Sequence, residues 1–531
     1  MTKLSVATVF LLSTAVFAQA ADDLASAFKD GTLEGRIRIN SIDTDWNKNS
    51  TSNWGANKAN GDSRGTAVGG SLIYQTASFY GISAGAGFYT TQSLGIYTDD
   101  LSDVGSSSKA GAKPATGSDL FARGPGSTTH WGDGYSVLAQ SYLQYQIAKS
   151  KVKGCRFLMT NPWINPNDTK MIPVAVEGAS FVSNDIKNTT IQLDYAEAIK
   201  ERGMTYFGNM ADTGDTPDAI KNYYRTHYTA TANAVNSSSA TAISSPQSIN
   251  SYGSGGEAPG VAILGLQNKS INALELQAWF MEWQDIVNQG RIEANYALPA
   301  GDVILSFGAR YMQQWDTGAG DIITPKDGSS VYSKLGVTNT AITGSYATDV
   351  NKKGDTNNKV DTHLYALRAA ATYGPAKLMI AFSQTDKGGD FIAPWRGFPT
   401  DGYTRSMTQT DWNANTKAYK VQLDYDLNKY ISGVSTMLSY SFYDRDPSKI
   451  GYVSQTDRYY NNGDTNQYNV DVIYKVPSVK GLELKARYMI QQNQVLAATD
   501  FGTGTSKATK SEGFGNDTSN HELRLEANYR F

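Results

Sequence analysis

The sequence predicts an all-β protein: a single transmembrane antiparallel β-barrel of about 18 strands with long extracellular loops. Three observations lead to this prediction. Segments in which apolar and polar residues alternate recur along the 531 residues, and their connections are short and long in turn. The mean hydropathy is −0.41, and no internal apolar run reaches the roughly 18 residues of a membrane-spanning helix. The chain also begins with a secretory signal and ends on an aromatic strand.

Strands with one apolar and one polar face recur along the whole chain. In 303–311, 468–476 and 482–490, apolar residues occupy every second position, as a half-buried strand requires. The segment 260–266 is the shortest and weakest candidate. The predicted strands lie near 32–40, 64–76, 79–90, 134–148, 151–158, 175–184, 188–199, 260–266, 270–283, 285–298, 302–314, 361–373, 376–386, 416–427, 431–444, 465–476, 481–493 and 519–531.

The two ends of the chain predict export. Residues 1–20 combine Lys3, an apolar stretch and the small-residue site Ala18-Gln19-Ala20, which is typical of a signal peptide, although an N-terminal core helix is an alternative. The last strand alternates up to Phe531, and it resembles the C-terminal strand of bacterial outer-membrane proteins, where that aromatic residue serves in assembly. We therefore expect a signal peptide at 1–20 and one barrel domain at 21–531.

Composition excludes several other classes. A single cysteine excludes a disulfide scaffold and any Cys-based metal centre, and a formal net charge of −3 gives no reason to expect nucleic acid. No metal ligand set and no cofactor motif is found. The 32 tyrosines include several near strand ends, where they suit the membrane interface, although ordinary strand propensity also explains them.

The lengths of the connections predict that one end of the barrel carries short turns and the other end carries long loops. Tight turns are expected at 149–150, 299–301, 374–375 and 478–480. Long polar segments alternate with them, which is the asymmetry of a transmembrane barrel with extracellular loops and short periplasmic turns. These segments lie at 41–63, 91–133, 200–259, 315–360, 387–415, 445–464 and 494–518.

Eighteen strands enclose more space than their side chains fill, so the lumen is expected to hold water. Cations that face this lumen predict that it is selective for certain solutes. Closure of the barrel places the last strands beside the first, so that six cations share a basic wall: Arg36, Arg38, Lys475, Lys485, Arg487 and Arg524. Such a wall would guide anions through weak successive sites. The alternative is that these charges only solvate the lumen, since Asp471, Glu483, Glu522 and Glu526 interleave with them. Further inward cations are expected at Lys151, Lys153, Arg310, Arg368, Lys377 and Lys420.

The third loop is expected to fold into the lumen. Residues 153–178 carry three prolines and several asparagines, which stiffen a loop. The stretch resembles the OprD-type outer-membrane porins, whose third loop has a Thr-Pro, Asn, Asp, Arg-Met-x-Pro, Glu-Gly pattern. The matching residues are Thr160-Asn161-Pro162, Asn165, Asp168, Lys170-Met171-Ile172-Pro173 and Glu177-Gly178; stretches 28–31 and 85–92 also look similar. We expect Asn161, Asn165, Asp168 and Lys170 at the constriction, although a purely loop-stabilising Asp168–Lys170 pair is an alternative.

The resemblance implies an 18-stranded barrel that passes small solutes, often with a carboxylate, along an arginine ladder facing acidic groups. Two departures alter the positive charge near the constriction: Gly154-Cys155-Arg156 stands where the family tends to have Gly-Arg-Gln, and Lys170 replaces an arginine. A particular substrate therefore does not follow from the resemblance.

We predict a passive, substrate-selective diffusion channel for small hydrophilic, carboxylate-bearing solutes in a Gram-negative outer membrane. The alternatives are a general non-selective porin and a structural or adhesive barrel. An enzyme is not expected, because none of the four histidines lies beside a serine motif. The expected partners are outer-membrane lipid, small solutes and, through the strand ending at Phe531, the barrel assembly machinery. A monomer and a homo-trimer both remain open.

Overall fold

The computed structural model describes residues 21–46, 63–96, 120–122, 134–211, 260–319, 361–392, 395, 402–408, 411–446, 463–494 and 519–531. The signal peptide predicted at 1–20 and most of the predicted long loops lie outside the described residues. No helix in the described ranges is both long and apolar enough to cross a membrane.

The fold is a sheet of antiparallel strands preceded by one short helix. All eighteen predicted strands are present, and the largest difference in bounds is at the first, which continues to Trp46 rather than ending near residue 40. The elements are α1 (Leu24–Lys29), β1 (Thr32–Trp46), β2 (Ser63–Gln75), β3 (Ile82–Ser93), β4 (Tyr135–Ile147), β5 (Ser150–Phe157), β6 (Ala175–Ser183), β7 (Thr189–Lys200), β8 (Gly208–Asn209), β9 (Val261–Asn268), β10 (Leu274–Trp283), β11 (Val287–Ala300), β12 (Val303–Asp316), β13 (Thr362–Tyr373), β14 (Ala376–Thr385), β15 (Lys417–Asp426), β16 (Val434–Asp444), β17 (Thr465–Lys475), β18 (Leu482–Asn493) and β19 (Asn520–Arg530).

The sheet closes on itself. Apart from the two-residue β8, each strand pairs with the next strand in sequence. β19 pairs with β1, with Arg36 opposite Arg530. At the seam, Gly35 and Phe531 exchange backbone hydrogen bonds of 2.9 and 3.0 Å. The weak candidate near 260–266 is the strand β9, which joins β7 to β10. The barrel therefore has 18 strands, as predicted, and among the described strands none leaves a long edge for another chain to pair with.

Two elements were not predicted. The helix α1 begins after Asp23, whose carboxylate accepts from the Ser26 N–H as an N-cap. The two-residue strand β8 pairs with Ala198 and Ile199 of β7, just beyond the point where β9 begins to pair with β7. Neither element has a periodic pattern long enough to detect.

The two faces of the barrel follow the predicted alternation. On β1, Ile37 and Ile39 are exposed on the outward surface, whereas Arg38 and Asn40 are buried on the inward surface. The same alternation runs through β19, where Leu525 is 48% exposed and the flanking Arg524 and Glu526 are buried. The outward surface is an apolar band for lipid, and the inward surface is polar, as in a transmembrane barrel.

A charge on this outward band tests the assignment of the faces. Leu525→Arg is expected to lower the free energy of unfolding by roughly 2–4 kcal/mol in phospholipid vesicles, because a guanidinium would face hydrocarbon. Urea unfolding followed by tryptophan fluorescence measures the change. Leu525→Met, which keeps an apolar side chain, is the matched control, and equal stabilities of the two variants would reverse the assignment.

The connections lie as predicted, with small corrections. The turn between β4 and β5 is shifted by one residue to 148–149, and the turn between β11 and β12 is shortened to 301–302. The connection between β17 and β18 is longer than predicted, at 476–481. On the side of the long loops, one connection is short, at 284–286 between β10 and β11. Described parts of two long connections, 158–174 and 386–416, contact inward-facing side chains and so enter the lumen.

Candidate functional site

The predicted basic wall is present as one continuous surface. Arg36 and Arg38 on β1, Arg524 on β19 and Lys485 and Arg487 on β18 occupy inward positions of strands that are neighbours in the closed sheet. Lys475 follows in the same inward series on β17, at the end of the strand, and is exposed. Barrel closure thus places residues from both ends of the sequence on one wall.

Carboxylates pair with every arginine of this wall. Arg38 donates to Glu526 Oε2 at 2.7 Å, and Arg487 lies 2.9 Å from Asp471 Oδ2. Arg524 likewise pairs with Glu522. Lys485 has no carboxylate partner within the part of the chain that the structure describes. The wall is therefore mixed in sign, with an excess of positive charge.

The loop 158–174 crosses the lumen to meet this wall. The Asp168 carboxylate pairs with Arg36 and accepts from Arg38 Nη1 at 2.9 Å, while its backbone oxygen accepts from Arg38 Nη2 at 3.2 Å. Asp168 is 36% exposed, whereas Arg38 is only 3% exposed. The predicted inward fold of the third loop is thus present, and Asp168 is the member of the ion-pair cluster that faces the open lumen.

Asparagine side chains hold the shape of this loop. Asn161 Oδ1 accepts from the N–H groups of Trp163 and Ile164 at 3.0 and 2.8 Å, and its Nδ2 donates to Asp194. Asn165 Oδ1 accepts from the Asn167 N–H at 2.8 Å. These are turn-forming contacts.

Lys170 lies on the wall side of the loop rather than at its open face. Its side chain is 3% exposed and lies within electrostatic range of the Glu522 carboxylate. Of the four residues expected at the constriction, Asp168 faces the lumen, while Asn161 and Lys170 are buried and Asn165 is partly buried. The sequence shows that a loop is polar, but not which of its side chains point toward the wall.

A second inward loop, which the sequence did not reveal, carries Tyr403. This residue belongs to the connection 386–416, and its hydroxyl donates to Glu293 Oε1 at 2.9 Å. The ring centroid lies 4.8 Å from the Arg310 guanidinium and 4.6 Å from that of Arg368. Burial and the Glu293 carboxylate raise the pKa of the Tyr403 hydroxyl, which therefore remains a donor.

Tyr403 completes a charged cluster on β11, β12 and β13, which β14, β15 and β16 separate from the basic wall in the ring of strands. Glu293 also accepts from Arg310 Nε at 2.8 Å, from Asn295 at 2.9 Å and from Arg291. Arg310 and Arg368 were expected to face inward, but their association with a loop was not expected. No motif marks Tyr403 in the sequence, since its partners are distant along the chain.

The two inward loops are linked through Gln289, which is fully buried. Its Oε1 accepts from Trp163 Nε1 of the first loop at 2.7 Å, and its Nε2 donates to the Ile392 backbone oxygen of the second loop at 2.8 Å. Trp283 and Trp395 pack edge to face beside them, with ring centroids 4.8 Å apart. One apolar cluster thus supports both loops from inside the barrel.

Asp411 anchors the second loop at another point. Its carboxylate is fully buried, accepts from Thr404 Oγ1 at 3.3 Å, and lies near the Ser383–Thr404 hydroxyl pair, which is 2.7 Å apart. Burial raises the pKa of the Asp411 carboxyl to about 6, although hydrogen bonds from Ser383 and Thr404 and the charge of Arg310 act in the opposite direction. The second loop therefore carries an acid that titrates near neutrality.

Comparisons with known proteins agree with this architecture. Residues 82–503 match the family model described as outer membrane porin, OprD family. A search of curated proteins found no match. The similar solved structures include Pseudomonas aeruginosa OpdK with vanillate (12% identity, TM-score 0.61, covering 95% of this chain and 99% of that chain). Acinetobacter baumannii OccAB3 (16%, 0.62, 95% and 99%) and Pseudomonas aeruginosa OccK9, also named OpdG (14%, 0.61, 95% and 100%), share the fold.

Proposed function

Because the chain belongs to the OprD family of outer-membrane porins, we propose that it is a channel selective for small anionic solutes, with carboxylates as the preferred class. As a member of this family it is a porin of the outer membrane rather than an enzyme, and solutes pass through its barrel. The proposal concerns which solutes pass and which residues select them.

The basic wall is the observation that supports anion selection. Arg36 and Arg38 on β1 and Lys485 and Arg487 on β18 flank β19 in the lumen, and Asp168 brings the first loop against Arg36 and Arg38. Because the loop narrows the lumen beside these cations, a permeating solute would pass close to them. A carboxylate would then meet guanidinium groups that bind it in a planar, two-point geometry.

Removal of three charges tests this selection. Replacing Arg36, Arg38 and Arg487 together by Gln is expected to reduce the chloride-to-potassium permeability ratio at least about tenfold, since each charge near the ion path contributes about 1 kcal/mol even in water. Reversal potentials in a potassium chloride gradient across a planar bilayer measure the ratio. The remaining carboxylates Asp168, Asp471 and Glu526 would favour cations.

The matched control removes the same charge outside the lumen. Lys149, Lys187 and Lys480 lie in the short turns between strands and are exposed, and their replacement by Gln is expected to leave the permeability ratio nearly unchanged. An equal shift in both triple variants, or no shift in the first, would instead favour a general non-selective porin. Absence of conductance in the wild-type protein would favour a structural or adhesive barrel.

We also propose the remaining features of the biogenesis. Residues 1–20 are removed on export, and the chain forms one barrel domain from residue 21. The strand ending at Phe531 is recognised by the barrel assembly machinery, which cross-linking at that residue would detect. Native mass spectrometry of the detergent-extracted protein distinguishes a monomer from a homo-trimer.

A further inference from the structure

We propose that Arg368, together with Arg310 and Tyr403, forms a second carboxylate-binding subsite in the lumen, separate from the basic wall. The inference deepens the proposed function, and rests on it, because it assigns a place where the carboxylate of a permeating solute is held. The subsite lies where the second inward loop meets β12 and β13.

The charge of Arg368 lacks a partner of opposite sign. Its Nη2 donates to the Asn295 side-chain oxygen at 2.6 Å, and its guanidinium stacks 4.6 Å from the Tyr403 ring centroid. Within the described ranges no carboxylate lies within salt-bridge distance of Arg368, and its side chain is only partly buried. The guanidinium is thus held in a fixed position and its charge is available to the lumen.

The cluster around Arg368 has more donors than acceptors. Glu293 lies between two guanidiniums, and its oxygens already accept from Arg291, Arg310, Asn295 and Tyr403. The Nε atoms of Arg291 and Arg368 are buried and have no acceptor among the described residues. Buried donors without acceptors are costly, and a carboxylate supplies two acceptor oxygens in the plane that a guanidinium prefers.

A glycine on β12 allows Arg368 and Tyr403 to approach the strand backbone closely. Gly308 on β12 pairs with Arg368 on β13. A Cβ atom at this position would lie 2.6 Å from Arg368 Nε and 2.7 Å from the Tyr403 hydroxyl. The guanidinium and the phenol therefore pack directly on the β12 backbone, and the missing side chain fixes where both groups lie.

The position of the cluster suits conduction. The lumen has an excess of positive charge in two separate regions, one on β17, β18, β19 and β1 and one on β11, β12 and β13. Conduction requires sites that attract a solute yet release it to the next site. A carboxylate that moves between two weak sites meets this requirement better than one held by a single strong site.

Single-channel block tests the subsite. In wild-type channels, benzoate is expected to interrupt the potassium chloride current for longer than the neutral benzyl alcohol. In Arg368→Gln the residence time of benzoate is expected to fall about tenfold, the size expected for the loss of one charged hydrogen-bonding partner. Lys480→Gln, which removes the same charge in an exposed turn, is expected to keep the wild-type residence time.

Gly308→Ala provides a test that changes no charge. The added methyl group would displace the Arg368 guanidinium and the Tyr403 hydroxyl, so we expect a shortened benzoate residence time with an unchanged chloride-to-potassium permeability ratio. Wild-type residence times in either Arg368→Gln or Gly308→Ala would overturn the subsite. Equal shortening in Arg368→Gln and Lys480→Gln would also overturn it, because overall charge would then explain the effect.

The test separates this subsite from the selectivity of the basic wall. If the triple variant at Arg36, Arg38 and Arg487 loses anion preference while Arg368→Gln keeps wild-type block, the proposed function stands and the subsite fails. If Arg368→Gln and Gly308→Ala shorten block while the triple variant keeps its permeability ratio, the subsite stands and the role of the basic wall fails.

Discussion

Asp168→Asn is expected to raise the chloride-to-potassium permeability ratio about fivefold, since the loss of one charge near the ion path changes the free energy of an ion by about 1 kcal/mol. The reason is that Asp168 is the exposed partner of Arg36 and Arg38. The asparagine keeps the shape of the side chain, removes the ion pair of Arg36 and leaves Arg38 paired with Glu526. Reversal potentials across a planar bilayer measure the ratio.

The same substitution is expected to loosen the first inward loop. Hydrogen bonds to charged groups each contribute about 1.5–3 kcal/mol, and solvent reduces this value at a partly exposed carboxylate. Current noise from loop movement is therefore expected to rise in Asp168→Asn. The control is Asp45→Asn, which removes one negative charge from the outward face of β1, the strand that carries Arg36 and Arg38. If both variants gave the same permeability ratio, the carboxylate of Asp168 would not lie close to the path of the permeating ions.

Acid is expected to hold the second inward loop in the lumen more firmly, because of Asp411. Burial raises the pKa of this carboxyl from 3.8 to about 6, so the folded loop favours the protonated form. The resulting stabilisation is complete below about pH 4 and is lost as the pH rises through 6. A difference of about two pKa units corresponds to roughly 3 kcal/mol. Loop-dependent current fluctuations are therefore expected to be rare at pH 4.5 and frequent at pH 7.5.

Asp411→Asn removes the titration while keeping the hydrogen-bonding shape. In this variant the fluctuations are expected to be rare at both pH values, since the buried side chain is neutral throughout. Hydrogen exchange at residues 402–408 gives a second measure and should slow in the variant at pH 7.5. If the variant showed the pH dependence of the wild type, another group would be responsible.

The barrel was predictable because its strands repeat one simple constraint. One face of each strand contacts lipid and the other contacts water, so apolar and polar side chains alternate along the strand, as at Ile37, Arg38 and Ile39. The same alternation gave the inward positions of Arg487 and Arg524. Barrel closure then follows from the strand count, and it places the last strand beside the first.

The lumen was less predictable because loops lack such a constraint. Proline and asparagine content indicated that 158–174 is stiff, but the burial of Lys170 depends on how the loop lies against the wall. Tyr403 meets Glu293 across 110 residues of chain, and the gap it occupies depends on the missing Cβ of Gly308. Contacts of this kind leave no local pattern in a sequence.

The seam between β1 and β19 determines when the protein can finish folding. The hydrogen bonds between Gly35 and Phe531 join residues separated by almost the entire chain, and contacts between distant residues form slowly because a long loop must first be ordered. The barrel therefore cannot close before β19 has been made and exported. Until then the edges of β1 and β18 are unpaired, so we expect that truncation of the last strand yields degraded chain rather than a smaller pore.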